Sequence, residues 1–257
     1  MSIIDKFISL VKIIKTDGMK RLIVILVDRY KIPIHLSATY RWEAGISSQI
    51  RFWDQWFSTK GLRWSEEYKR RLDPNLPLQS RPASLIPNHS IVSILDVGAG
   101  PLTVLGKVVE DKEIKINAID PLASEYDKLL EKYQIQPIIR TQPGDAEKLN
   151  EIFNDNSFDL VYSSNAIDHS YDPESAIINM IEITKPHCYV LMEHRINEAE
   201  NQNYSGFHQW NFSLSKEGDF IISNRKTSVN MTKKYADICT ITSEQDNHTI
   251  INRILKH

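Results

Sequence analysis

Between residue 91 and about residue 193, apolar runs of strand length alternate with amphipathic stretches of helical period, and nothing else in the chain constrains the fold as tightly. Residues 91–97, 115–120, 137–141, 158–164 and 187–193 read as strands, and 101–111, 123–133, 145–154 and 173–184 as helices. Repeated strand–helix–strand units imply parallel strands with right-handed crossovers, and such sheets bind ligands at the carboxyl ends of their strands. Two further strand-like runs, 236–243 and 249–255, flank a turn at Gln245-Asp246-Asn247. The 257 residues suffice for one such domain plus an accessory segment.

The accessory segment comes first. Residues 1–30 place Ile3, Ile4, Phe7, Ile8, Val11 and Ile14 at helical spacing, break at Asp17-Gly18, and resume with Leu22–Val27. Two short amphipathic helices are expected, packed on their own domain, with membrane-surface contact of 1–30 as the lesser expectation. Trp42, Trp53, Trp56 and Trp64 then fall within residues 37–72, where Trp53, Trp56 and Phe57 share one helical face. Such aromatic density glues elements together and can line a pocket. Residues 73–90, with Pro74, Pro77, Pro82 and Pro87, read as a linker. The division expected is therefore a cap over 1–72, a linker over 73–90, and a catalytic domain over 91–257 with an insertion over 194–230.

Residues 1–72 carry 14 Lys+Arg against 7 Asp+Glu, and the remainder 17 against 26. The basic residues of the head are interspersed rather than massed, so a solvated helical face explains them better than an acidic lipid surface or anionic partner. Cys188 and Cys239 each sit in a strand-like run and read as buried, reduced thiols, which points to the cytoplasm. Asp5, Lys6 and Lys12 interrupt the start, so no signal peptide is expected.

The chemistry concentrates at three strand ends. Ile94-Leu95-Asp96-Val97-Gly98-Ala99-Gly100-Pro101 runs a buried strand into Gly-x-Gly, where a ligand lying against the backbone would collide with any Cβ. Dinucleotide-binding enzymes share that turn, but their third glycine is replaced here by Thr103. Asp96 would repel a pyrophosphate and attract the amino group of an amino-acid cofactor. Asp120 ends the second strand, placed to accept both hydroxyls of a ribose. Asp145, after the third strand, is placed either to accept from an adenine amino group or to cap a helix.

On these residues the chain resembles the class I S-adenosylmethionine (SAM)-dependent methyltransferases, closest to the small-molecule group called type 11. The resemblance covers 91–193 and the terminal strand pair. It implies a Rossmann-like, doubly wound α/β sheet of seven strands with the last antiparallel, here with an N-terminal helical cap. It also implies SAM as cofactor. Asp96, Gly98, Ala99 and Gly100 match the motif that holds the methionine part, Asp120 with Pro121 the ribose site, and Asp145 with Ala146 the adenine site. Phe158–Asn165 matches the fourth strand, so Asn165 approaches the sulfonium and the acceptor. Ile167-Asp168-His169-Ser170-Tyr171-Asp172-Pro173 resembles the family's hydrophobic-x-His-x-x-Asp-Pro run. Lys185-Pro186-His187-Cys188 stands where the family writes Lys-Pro-Gly-Gly.

A hydroxyl acceptor needs a base. The candidates are His169, His194 and His208, with Asp168 and Glu193 as partners or alternatives. The insertion is expected to select the acceptor, with Tyr204 and Trp210 suited to stacking on a sugar or similar polyol. His194, Glu198 and His208 match no defensible metal spacing, so no metal is expected. The acceptor strand end reads Ser164-Asn165-Ala166-Ile167 rather than Asn-Pro-Pro-aromatic, and the catalytic half is acidic, so no nucleic acid is expected. A small polar molecule is the partner expected. The alternatives held open are a non-catalytic partner subunit of the same fold and an NAD-dependent oxidoreductase.

Overall fold

The structure, a computed structural model, describes residues 3–30, 32 and 36–257, with the side chains of 3–10, 12 and 15–17 outside the description. Seven strands form one sheet in the order β3-β2-β1-β4-β5-β10-β9. Its centre is β1 (Ile91–Val97), which pairs in parallel with β2 (Glu113–Asp120) on one side and β4 (Phe158–Ser164) on the other. β3 (Thr141–Pro143) extends the sheet beside β2, and β5 (Thr184–Arg195) beside β4. The hairpin of β9 (Cys239–Asp246) and β10 (Thr249–Lys256) closes the far edge, with β10 antiparallel to both β5 and β9. The reversed last strand is the one that the resemblance implies. Cys188 and Cys239 are both free and buried.

The N-terminal region adds α1 (Ile3–Tyr30), α2 (Ala38–Ser58) and α3 (Ser65–Arg71). The break expected at Asp17-Gly18 is a kink within α1, where Gly18 adopts φ 76. Beyond it Leu22, Val24 and Val27 are buried, and α1 packs on α2. The expectations for Ile3, Ile4, Phe7 and Ile8 concern side chains outside the description. Part of the basic excess is paired within the cap: Arg41 with Asp28, and Lys20 with Glu43. Among the described residues no helix is long and apolar enough to cross a membrane.

Residues 73–90 differ from a free linker. They hold α4 (Ser80–Ala83), bury Leu76 and Leu78, and form a strap across the sheet. Lys107 N donates to Leu76 O at 2.7 Å and Leu78 N to Val108 O at 2.8 Å. Gln79 reaches Val104 O and Gly106 N through its side chain. A Cβ on Gly106 would lie 1.9 Å from Pro77 O. The strap pairs with a stretch expected to be helix 101–111, which is irregular instead. The reason is local: Thr103, Val104, Val108 and Val109 are β-branched and Gly106 falls mid-run, so helix propensity is low. Leu78, Leu105, Val92, Ile94, Leu160 and Leu191 form the resulting core on that side.

The other elements follow the pattern with local shifts. α5 (Ala123–Lys132) buries Ala123, Tyr126, Leu129 and Leu130. It ends with Gln134 at φ 55 and Ile135 N bonded to Leu130 O, and the strand expected at 137–141 falls later, at Thr141–Pro143. A short 3₁₀ turn at 146–148 and α6 (Leu149–Ile152) replace helix 145–154. α7 (Pro173–Ile183) begins as its sequence dictates, with the Asp172 side chain accepting from Ser175 N and Pro at the first position. His187, in the place of the family's glycine, takes φ 60 in a bulge between β4 and β5. The insertion holds α8 (Glu198–Asn201) and a separate sheet of β6 (Asn211–Leu214), β7 (Phe220–Ser223) and β8 (Ser228–Asn230), followed by α9 (Met231–Lys234). Phe212, Phe220, Ile222 and Met231 dock it onto the core around α7.

Candidate active site

A cavity of about 810 Å³ opens at the carboxyl ends of β1, β2 and β4, inside the roughly 300–1,000 Å³ span of ligand sites. Asp96, Gly98, Ala99, Gly100, Asp120, Pro121, Asp145, Ala146 and Asn165 all line it. Gly98 (φ +72) and Gly100 (φ +64) turn the chain sharply, and a Cβ on Gly98 would lie 2.3 Å from the Ala166 Cβ. The turn is pinned by Gly98 N and Ala99 N, which donate to Ile119 O at 2.9 and 3.0 Å.

The acids are held ready by their surroundings. Asp96 accepts from the Thr103 hydroxyl at 2.5 Å, which explains the residue found at the missing third glycine. Burial pushes the Asp96 pKa up to about 6, with Thr103, Arg71 and Lys107 opposing it. Asp120 accepts from Leu122 N at 2.9 Å and Gly100 N at 3.1 Å, and burial likewise pushes it up to about 6. Asp145 precedes the 3₁₀ turn but makes no side-chain cap bond, so capping does not account for it. Glu147, beside it, accepts from Tyr171 N and Asp172 N.

The cap supplies the roof. Trp53 packs over Gly100, where a Cβ would meet its ring at 2.9 Å, and lies edge-on to Tyr126 of α5. Its indole Nε1 is buried without a partner. Arg71 stacks on Trp53 and Trp56, each at 5.6 Å, and its Nη1 donates to Leu102 O at 2.8 Å. A cation in this position is absent from the sequence expectations. The signal was Arg70-Arg71-Leu72-Asp73-Pro74, but only the tertiary fold brings that stretch to the glycine turn.

At the other end of the cavity stand three of the five candidate catalytic residues. His169 Nε2 and His208 Nδ1 are 3.0 Å apart, and Asp168 Oδ2 lies 3.5 Å from the first and 3.7 Å from the second. Asp168 is buried. Burial would raise its pKa, but His169, His208 and His194 outweigh it and hold the carboxyl at about 2. His208 comes from the insertion, on a turn with Gly206 at φ +61 braced by the Gln209 side chain on Tyr204 O and Gly206 O. Phe207 stacks on Trp42 at 5.4 Å and so ties this turn to α2.

His194 is placed differently. It is fully buried, does not line the cavity, and its Nε2 accepts from Ala166 N and Ile167 N at 3.3 and 3.1 Å. Burial lowers its pKa to about 4, so the ring is neutral and braces the turn after β4. Its lone pair is occupied, which rules out the metal set His194, Glu198 and His208. Glu193 is engaged by Arg81 at 2.6 Å and by the Tyr162 hydroxyl at 2.7 Å, away from the cavity. Tyr204 and Trp210 also fall outside the lining, Tyr204 bonding Asn211 and carrying Arg225 on its face. The aromatic rings that do reach the acceptor end are Trp42, Tyr171 and Phe207.

Residues 95–192 match a family model described as a methyltransferase domain. Those residues carry a methyltransferase domain. No curated protein matches the sequence. Among solved structures, a putative S-adenosyl-L-methionine-dependent methyltransferase from Methanococcus maripaludis is 16% identical, with 78% of this chain and 94% of that chain covered at a TM-score of 0.45. A SAM-dependent methyltransferase from Aquifex aeolicus is 14% identical, covering 74% and 96% at 0.45. A putative methyltransferase complexed with the Trm112 activator from Haloferax volcanii is 14% identical, covering 81% and 96% at 0.44. The matched methyltransferase segment ends within β5. Trp53, Arg71 and His208 therefore reach the cavity from parts of the chain outside it.

Proposed function

We propose that this methyltransferase transfers the methyl group of SAM to a hydroxyl of a small polar acceptor, a sugar or similar metabolite. The observation that carries the reading is a single cavity joining the three strand-end acids to the Asp168–His169–His208 cluster. When bound, SAM supplies an electrophilic methyl on a sulfonium, which leaves its sulfur as the acceptor oxygen forms the new bond and gives up its proton.

The chain's own residues divide the remaining work. Gly98 and Gly100 leave room for the methionine part against the backbone, Asp96 accepts from its amino group, and Arg71 faces its carboxylate. Asp120 accepts from the ribose hydroxyls, and Asp145 with Ala146 borders the adenine. Asn165 sits between cofactor and acceptor. His169 and His208 bind the acceptor hydroxyl and promote its deprotonation, with Asp168 holding both imidazoles in place. Trp42 and Phe207 offer apolar faces, and Arg195, Glu198 and Gln202 hydrogen bonds, a mixture that suits a polyol. The irregular stretch after the glycine turn supplies no helix N-terminus for a pyrophosphate, which disfavours the oxidoreductase alternative.

The test is calorimetric titration of the protein with S-adenosylhomocysteine, with NADH in parallel, followed by an acceptor screen beginning with sugars. Micromolar binding of the former alone, lost in Asp120→Ala, is expected. Binding of neither would move the non-catalytic partner subunit to the front.

A further inference from the structure

We propose that Asp168, His169 and His208 form a binding site for one divalent transition-metal cation at the acceptor end of the cavity. The site stands on geometry alone, whereas the cation's role rests on the methyl-transfer reading above.

Three ligand atoms converge from two distant stretches of chain. Their separations are 3.0 Å (His169 Nε2 to His208 Nδ1), 3.5 Å (Asp168 Oδ2 to His169 Nε2) and 3.7 Å (Asp168 Oδ2 to His208 Nδ1). Ligands about 2.0–2.2 Å from one ion in tetrahedral or octahedral geometry stand roughly 2.8–3.6 Å apart. The triangle fits after a shift of a tenth of an ångström or so on its longest edge. Among the described residues, this is the only group of three or more His, Cys, Asp or Glu side chains with such convergence.

A second observation points the same way. Asp168 is 2% exposed, and its Oδ1 is buried with no hydrogen-bond partner. His194 Nε2, 4.0 Å from it, faces it with a lone pair already accepting from Ala166 N and Ile167 N. An unpartnered oxygen on a buried carboxylate favours a positive charge nearby. Two imidazole nitrogens 3.0 Å apart share a single proton at best, whereas a cation satisfies both and the carboxylate together.

Two nitrogens and one carboxylate oxygen favour first-row ions such as Mn²⁺, Co²⁺ or Zn²⁺ over Mg²⁺ or Ca²⁺. Three protein ligands leave positions open toward the cavity, where an acceptor hydroxyl binds. The cation then acts as a Lewis acid: it draws the oxygen lone pair, weakens the O–H bond, and the proton passes to water. The histidines act as ligands in this arrangement, and their loss removes the cation with its activating effect.

The experiment titrates the full, chelator-treated chain with Mn²⁺, Co²⁺ and Zn²⁺ alone, and separately with S-adenosylhomocysteine. One ion per chain is expected for at least one metal, with visible absorption on Co²⁺ binding that reports nitrogen ligation. His169→Ala and His208→Ala should each weaken the ion by about tenfold or more, while S-adenosylhomocysteine affinity is kept as proof of an intact fold. Absence of saturable metal binding alongside normal S-adenosylhomocysteine binding overturns the site and leaves the methyl-transfer reading standing. Metal affinity in both variants unchanged from that of the unmutated chain also overturns it. Metal binding lost in the variants without any S-adenosylhomocysteine binding upholds the site and sinks the methyl-transfer reading.

Discussion

Asp96 and Asp120 show how burial equips single residues for a ligand. Desolvation raises both carboxyls to about 6, against partners that are too few to hold them down. Because the folded pKa values exceed the unfolded ones, what these groups contribute to stability is fully present below about pH 4 and is lost as pH rises through 6. Above that point the protein carries two buried negative charges short of donors. An amino group on Asp96 and ribose hydroxyls on Asp120 are such donors, so they favour the ionised forms. S-adenosylhomocysteine affinity should therefore plateau above about pH 7 and fall roughly tenfold by about pH 5 for each carboxylate that must ionise. Calorimetry across that range checks it. An affinity flat with pH would mean that neither carboxylate accepts from the ligand.

At the scale of elements, the strap over 76–79 is the largest departure from the expected pattern. Gly106 is where it comes closest, since an added Cβ would fall 1.9 Å from Pro77 O and 2.5 Å from Leu78 N, both backbone atoms that cannot rotate away. Gly106→Ala should cost about 1–3 kcal/mol, as overpacking does, and lower Tm by roughly 2–4 °C for each kcal/mol. It should also weaken S-adenosylhomocysteine, because Gln79 both ties Val104 O and Gly106 N and lines the cavity. An unchanged Tm in a thermal melt would mean that the strap lifts freely and is a linker after all. The sequence made the acids and glycines of the site legible because each follows an apolar run, and such runs are local signals. It misled at 101–111, where apolar content outweighed the β-branched residues and Gly106. The strap was hidden because Pro and Ser report chain stiffness and polarity, whereas Leu76 and Leu78 gain their partners only in three dimensions. The pairing of His208 with His169 was invisible for the same reason, being set by a turn 39 residues away.

For the molecule as a whole, the cavity is walled by three units that the sequence presents as separate: the sheet end, the cap and the insertion. The cap is bound to the sheet layer by Trp53, Trp56 and Phe57 against Leu102, Tyr126, Leu129 and Leu130, and by Asp54 with Lys132 and Tyr133. It therefore acts as glue. Whether it is also a lid depends on whether its opening exposes the ligand. With Trp53 over Gly100 and Arg71 bonded to Leu102 O, lifting α2 and α3 uncovers the strand ends where the acids lie. A ligand that binds only the closed form stabilises it by about 2.7 kcal/mol at a hundred times its Kd, which is up to a hundredfold in the opening equilibrium. Hydrogen exchange with saturating S-adenosylhomocysteine should then slow by as much in peptides covering residues 49–57 and 67–71 as in 96–100. The hairpin of β9 and β10 opens at the far edge without touching the ligand, so its exchange should stay the same. Slowing confined to 96–100 and 120–122 would instead show a cap that packs on the domain without gating it.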